Sequence, residues 1–235
     1  MKLYQTETHC HTKEVSSCSR IPSEYLIKRY ADLGYKYVFI TDHYNEATFF
    51  GYDMKNDIKA AIDHYEEGYL RARKYARENN LDLKVLQGME VTLNPGYKLE
   101  IGNDFLVFGF DREFLLDNPN LHMMDYKEFY DLMHKEGFLV FQAHPYRYGN
   151  VPVEPVCYDG VEIVNAHPGH RSHNQAAIKF AEDKNLYKIG GSDAHCEEDA
   201  GRGGILLPSG IETPNDLVRF YKESGSPELI VTYGA

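Results

Sequence analysis

A chain of 235 residues with 43% hydrophobic content can bury one sizeable core, and single α/β barrels commonly reach this length. Its 36 acidic against 25 basic residues give a formal charge of −11, and no Lys/Arg block stands out to neutralise a run of phosphates, so duplex nucleic acid is not an expected partner. No apolar run approaches the roughly eighteen residues of a membrane span and no signal peptide pattern opens the chain, so the expectation is a cytoplasmic protein without a membrane partner.

Runs rich in β-branched and aromatic residues alternate with helical patterns along the whole chain, a rhythm that predicts a parallel sheet in one domain over residues 1–235. The predicted strands are Leu3 to Thr8, Tyr37 to Thr41, Lys84 to Gln87, Phe105 to Phe110, Phe138 to Gln142, Gly160 to Val164, Tyr187 to Gly190 and Leu229 to Thr232. The helices are Ser23 to Leu33 closed by Gly34, Ile58 to Glu78, Tyr126 to Lys135 closed by Gly137, Asn174 to Lys184, and Asn215 to Glu223 after Pro214. Asn45 to Asp57 and Asn94 to Asn103 read as loops.

Candidate ligands fall at strand ends. His9 and His11 follow the first strand at alternate positions, so both side chains leave one face and can converge on one ion. His43 ends the second strand in TDH, Glu90 follows the third in GME, and His144 ends another in AHP. Asp193 and His195, in GSDAH, repeat the spacing of the first pair with one carboxylate. A lone histidine is more often a hydrogen-bonded core or surface residue, but five with two carboxylates at successive strand ends are not explained that way. In a parallel barrel such positions point to one rim and form one site. Cys10, Cys18, Cys157 and Cys196 are too scattered for a disulfide framework and read as reduced thiols. Cys10 faces away from its histidine neighbours on a strand, and neither it nor Cys196 belongs to a CxxC pair.

The ordered set HxH, TDH, GxE, AHP and GSDAH resembles the polymerase and histidinol phosphatase (PHP) family over nearly the whole chain, from His9 to His195. The resemblance implies a distorted, TIM-like (β/α)7 barrel with two or three metals at its C-terminal rim. It implies that His9, His11, Glu90 and Asp193 hold a first metal, that Glu90 bridges to a second held by His144, and that His43 and His195 hold a third. Glu7 stands where the family often has Asp, and Glu14 is the best match for a further ligand of the third metal. Asp104 takes the place of a histidine before the strand after GxE. Imidazole and carboxylate donors together suit Zn, Mn or Fe.

A water between two divalent ions loses its proton near neutral pH, and the same ions neutralise charge growing on a phosphoryl group. Hydrolysis of a small phosphate ester is therefore the leading expectation, with Glu90, Asp193 and His195 in the catalytic centre. Arg147, three residues after His144, is expected to grip a phosphate oxygen pair, with Arg171 and Arg202 as further candidates. The stretch His167 to His173 contains a Pro-Gly turn signal and reads as a polar loop beside the pocket. Three alternatives stay open: C–N bond hydrolysis as in amidohydrolases, protein-tyrosine phosphatase activity, and a non-catalytic, metal-stabilised binding module.

Overall fold

In the computed structural model, which describes residues 2–95 and 102–231, the chain begins with β1 (Leu3–Glu7), α1 (Ser23–Asp32), β2 (Tyr37–Ile40) and the short β3 (His43–Tyr44). Then come α2 (Ile58–Tyr65), α3 (Glu67–Glu78), β4 (Lys84–Gln87), β5 (Met89–Leu93) and β6 (Asn103–Phe108). The second half contains α4 (Arg112–Asp117), α5 (Tyr126–Glu136), β7 (Leu139–Gln142), β8 (Gly160–Asn165), α6 (Asn174–Lys184), β9 (Tyr187–Gly191), β10 (Gly203–Pro208), α7 (Pro214–Ser224) and β11 (Leu229–Val231). The eight expected strands are all present, apart from Thr232 and most of the Asn94 to Asn103 loop, which lie outside the described residues.

The expected single distorted (β/α)7 barrel is not confirmed, because the strands form two sheets, ordered β11-β10-β1-β2-β4 and β3-β5-β6-β7-β8-β9. Several neighbours are antiparallel, β1 with β10, β10 with β11, and β6 with both β5 and β7, so the sheet is not wholly parallel. The connection from β5 to β6 is too short for the crossover of about a dozen residues that a parallel partner requires. The chain steps from one sheet to the other at Gly88, where a Cβ would lie 2.8 Å from Thr41 Cγ2 and 2.9 Å from Phe108 Cε1. A single parallel bridge between Cys10 and Ala194 also joins the two sheets, just beyond the ends of β1 and β9.

Period-two alternation explains why these strands are apolar throughout. In β2, Tyr37 and Phe39 face a core between the sheets, while Val38 and Ile40 face a second core under α1 and α3. In β6, Leu106 and Phe108 join the inner core, and Phe105 and Val107 join a third with α2, α5 and α6. Fully burying one such side chain contributes about 1.5–3 kcal/mol. Leu217, Val218 and Tyr221 of α7 complete the inner core next to Phe108. The donors gather at its other end, beside Asn103 and Asp104.

The helix expected over Ile58 to Glu78 is divided at Glu66, a buried residue paired with Arg112. Just beyond the break, a Cβ on Gly68 would lie 2.0 Å from Thr12 Oγ1 and 2.7 Å from Asp42 Oδ2. The start of α3 therefore rests directly on the segment carrying His11, and only glycine fits there.

Candidate metal centre

Local backbone geometry places the donors. His9 and His11 extend β1, and parallel pairing sets His43 beside Glu90. Because β6 runs antiparallel, its first residues rather than its last reach the same rim, which brings Asp104 there. His144 (φ 26°) and Asp193 (φ 52°) both adopt the left-handed region, which non-glycine residues rarely occupy and which clusters at functional sites.

Glu90 lies at the middle. Its Oε1 is 3.0 Å from His144 Nε2 and 3.2 Å from His9 Nε2, and its Oε2 is 2.9 Å from His43 Nδ1 and 3.3 Å from His11 Nε2. Asp193 Oδ1 lies 3.2 Å from His11 Nε2 and 3.4 Å from His9 Nε2. Among the described residues three donor groups result: His9, His11 and Asp193; His9, Glu90 and His144; and His11, His43 and His195. All seven expected donors from the five sequence motifs are thus gathered in one place.

The far nitrogens of the rings are occupied by protein partners. His9 Nδ1 meets Glu162 Oε1 at 2.8 Å, His11 Nδ1 meets Ser16 Oγ at 3.3 Å, and His195 Nδ1 donates to the Asp193 carbonyl at 2.8 Å. Asn150 Nδ2 lies 2.8 Å from His144 Nδ1, and a flip of the amide would set its oxygen there to accept the ring proton. Such contacts turn an Nε2 lone pair toward the centre, as ligating histidines require. His9 Nε2, His11 Nε2, His43 Nδ1 and Glu90 Oε2 are buried with no hydrogen-bond partner. Orphaned buried atoms are rare, and converging lone pairs beside two carboxylates fit divalent cations.

The electrostatics reflect the same crowding of rings and carboxylates. Burial opposes ionisation of Glu90, but the imidazoles of His9 and His43 overcome it and hold the carboxyl well below the usual range. Asp193 is likewise held well below, against burial, by His9 and by its bond to His11. His9 is held well above the ordinary imidazole value because Glu162, Asp193 and Glu90 outweigh its burial. His11 is pushed well below it by burial and by the charges of His43 and His195.

Other expected residues are placed differently. Glu14 does not join the donors: its carboxylate accepts from Ser23 Oγ at 2.7 Å and from Ser23 N, satisfying a free N–H at the start of α1. Asp104 is adjacent but in none of the donor groups, with Oδ2 3.9 Å from His144 Nε2 and Oδ1 accepting from Thr92 at 2.7 Å. Arg147 does not stand ready with an unpaired guanidinium, since it donates to Asp193 Oδ2 at 3.1 Å and to Asp104 Oδ2 at 3.5 Å. Arg202 Nε donates to the Glu198 carbonyl at 2.9 Å, and Arg171 is exposed in its loop. The His167 to His173 loop lies beside the centre, with the His167 ring 5.4 Å from that of His195.

Sequence reasoning missed Glu162, whose two oxygens accept from His9 Nδ1, from His144 N at 3.0 Å and from Asn165 Nδ2 at 3.1 Å. Its signal was a charged residue inside the otherwise apolar run Gly160–Asn165. It also gave no role to Cys18, an exposed residue of the loop after His11 whose electrostatic surroundings are set by His195 and His43. Burial opposes the Cys18 thiolate, but hydrogen bonds to these two rings bring its pKa down to about 6.

An α/β protein that gathers five imidazoles and two carboxylates on one rim, with buried unpartnered lone pairs among them, is a binder of divalent metals. The chain belongs to the PHP domain family, whose profile matches residues 7–188, and a PHP-associated profile matches residues 171–224. Members of this family are metal-dependent phosphoesterases.

Among solved structures, PsfC from Pseudomonas syringae is similar over 99% of this chain and 93% of its own, at 17% identity and TM-score 0.68. A two-domain Bacteroides vulgatus protein containing a predicted PHP-like metal-dependent phosphoesterase matches 87% of this chain at 20% identity and TM-score 0.60. The match covers 59% of that longer protein. Endonuclease Q, in complex with a 27-mer duplex carrying an abasic lesion at its active site, matches 97% of this chain and 58% of its own at 11% identity and TM-score 0.62. At these identities the likeness is one of fold. No curated protein matches the chain.

The endonuclease Q complex corrects the expectation that duplex nucleic acid is ruled out as a partner, because this fold accommodates one. A net charge of −11 is a sum over the whole chain and does not report the local potential at one rim. Among the described residues, no helix is long and apolar enough to cross a membrane.

Proposed function

We propose that this chain hydrolyses a small phosphate ester at a centre of two or three divalent transition-metal ions, Zn, Mn or Fe. The observation that carries the reading is the convergence of three buried, unpartnered imidazole nitrogens, of His9, His11 and His43, on the carboxylates of Glu90 and Asp193. His9, His11, Glu90 and Asp193 would hold one ion, Glu90 and His144 a second, and His43 with His195 an outer one. Such ions supply an activated water and neutralise charge on phosphoryl oxygens.

The chain's own residues set the geometry. Glu162 and Asn150 fix the rings of His9 and His144, and the Asp193 carbonyl fixes that of His195. Arg147 joins Asp193 to Asp104, and its remaining N–H groups are available to a phosphate oxygen. The donors are recessed, with side chains at most 18% exposed, which favours a compact ester group.

The test is elemental analysis together with a panel of small phosphate esters and a lesion-bearing duplex, assayed with added Mn. Two or three ions per chain and turnover of at least one small ester are expected. Failure to bind any ion after reconstitution with Mn, Zn and Fe would overturn the metal reading. Turnover of the duplex alone would overturn the small-ester part.

Arg147→Ala is expected to raise KM for the best ester and lower kcat/KM by about ten- to a hundredfold, the worth of a charge-assisted hydrogen bond of about 1.5–3 kcal/mol. Arg147→Lys should recover only part, lacking the planar fork. Unchanged kinetics would remove the arginine from substrate contact. Loss of metal would show instead that it acts through Asp193 and Asp104.

A further inference from the structure

The loop of residues 166–173, between β8 and α6, carries imidazoles that the assignments above leave unused. It is fastened near both ends to one buried side chain. Asn165 Oδ1 accepts from His167 N at 3.4 Å and from Ser172 Oγ at 3.0 Å. Asn165 Nδ2 donates to Asp193 Oδ2 at 3.1 Å, the same oxygen that accepts from Arg147. The loop is thereby tied to the carboxylate that Arg147 grips, and His167 reaches the edge of the donor cluster, its ring 5.4 Å from that of His195.

Local contacts decide which nitrogen of His167 carries a proton. Nδ1 accepts from Gly169 N at 3.0 Å, and an accepting nitrogen has no proton of its own, so the single N–H of the ring is at Nε2. Among the described residues no hydrogen bond uses that N–H. Asp199 Oδ2 is 3.6 Å from it, too far for one, and already accepts from His195 N and Cys196 N at 3.1 Å each. The His170 ring, 4.3 Å away, packs against that of His167 and steadies it, while 15% of the His167 side chain stays open to solvent.

We propose that His167 donates from Nε2 to a phosphoryl oxygen of the substrate, as a second contact to the phosphate besides Arg147. The proposal rests on the phosphoesterase reading above. The two donors divide the work by charge. Arg147 needs Asp193 and Asp104 to hold its cation at the rim, whereas a neutral N–H needs no counter-charge and gains its partner only when the anion arrives.

Inorganic phosphate titrated calorimetrically into the Mn-loaded full chain tests this, alongside kinetics on the best small ester. His167→Phe, which keeps a ring but has no N–H, should weaken phosphate binding by about tenfold and raise KM, the usual worth of one hydrogen bond to a charged group. His167→Gln, whose amide places an N–H at similar reach, should recover most of the loss. Bound Mn and the thermal midpoint should stay unchanged in both. Unchanged phosphate affinity in His167→Phe, a loss that glutamine does not repair, or a loss of Mn overturns the contact and leaves the phosphoesterase reading standing. Phosphate binding that weakens as expected, with no ester turned over by wild type, keeps the contact and overturns that reading. A wild type that neither binds phosphate nor turns over an ester overturns both.

Discussion

Asp193→Asn is expected to lower kcat/KM by at least about a hundredfold, equal to about 2.7 kcal/mol of transition-state stabilisation, while leaving the fold intact. Asp193 Oδ1 faces His9 and His11, and Oδ2 accepts from Arg147 and from Asn165 Nδ2, each at 3.1 Å. An amide has the same shape and tolerates the left-handed backbone found there, φ 52°, so the substitution removes charge without adding strain. It cannot balance a divalent ion as a carboxylate does. If its NH2 group falls on the Oδ2 side it also meets two donors. Loss of a partner outside the coordination shell already costs about 10–100-fold in metal affinity or activity, and a direct ligand should cost more. The residue packs at the rim rather than among the core side chains, so the thermal midpoint should change little. Steady-state kinetics on the best ester, bound-metal analysis and thermal denaturation together decide the matter. Wild-type turnover would remove Asp193 from the centre, and a collapsed fold would make its role structural.

The part of the fold legible in the sequence was the part governed by local pattern. Val38 to Ile40 and Phe105 to Phe108 announce buried strands because alternate residues serve different cores, and the cores need both. β3, β5 and β10 were missed because their existence depends on neighbours. β3 is two residues long and owes its form to pairing with β5, while β10 opens on Gly203 and Gly204, which look like a loop. Those glycines are there for close approach: a Cβ on Gly203 would lie 2.4 Å from Gly191 O, and one on Gly204 2.3 Å from Thr6 O. No local rule reveals a contact with a strand more than 190 residues away in sequence, and β10 against β1 is one of the pairings that breaks the parallel pattern.

The candidate site divides along the same line. His9, His11, His43, Glu90, His144, Asp193 and His195 were readable because strand ends of a layered α/β fold converge whatever the sheets' exact closure. Residues that act through a partner were not. Glu162 carries its meaning only once His9 and His144 are seen against it. Glu14 failed for the opposite reason: its chemistry suits a metal, but the nearest unsatisfied group is the amide of Ser23.

Glu7→Ala is expected to destabilise the protein by about 3–5 kcal/mol, because it strands several buried donors that each cost about 1–3 kcal/mol when unsatisfied. Glu7 is fully buried, and Oε1 accepts from the amides of Thr8 at 3.0 Å, His9 at 2.9 Å and Ser192 at 2.9 Å. Its Oε2 accepts from Tyr30 at 2.7 Å. Although it occupies the place where the resemblance puts a metal-associated Asp, none of these contacts is to a donor ring. Glu7 instead ties the segment carrying His9 and His11 to the one carrying Asp193 and His195. Alanine would leave three backbone N–H groups and a hydroxyl without an acceptor, each costing about 1–3 kcal/mol if water cannot reach it. At about 2–4 °C per kcal/mol for a chain of this size, the thermal midpoint should fall by roughly 6–20 °C. Burial raises the Glu7 pKa and outweighs the hydrogen bonds that lower it, so losing the charge costs less than losing the acceptor. Glu7→Gln, neutral at every pH and still able to accept through its carbonyl, should therefore recover most of the loss. Calorimetry on the metal-stripped protein separates this effect from metal binding. An unchanged midpoint in Glu7→Ala would show that the two donor segments hold together without it, and a loss confined to the metal-loaded protein would return Glu7 to the coordination sphere.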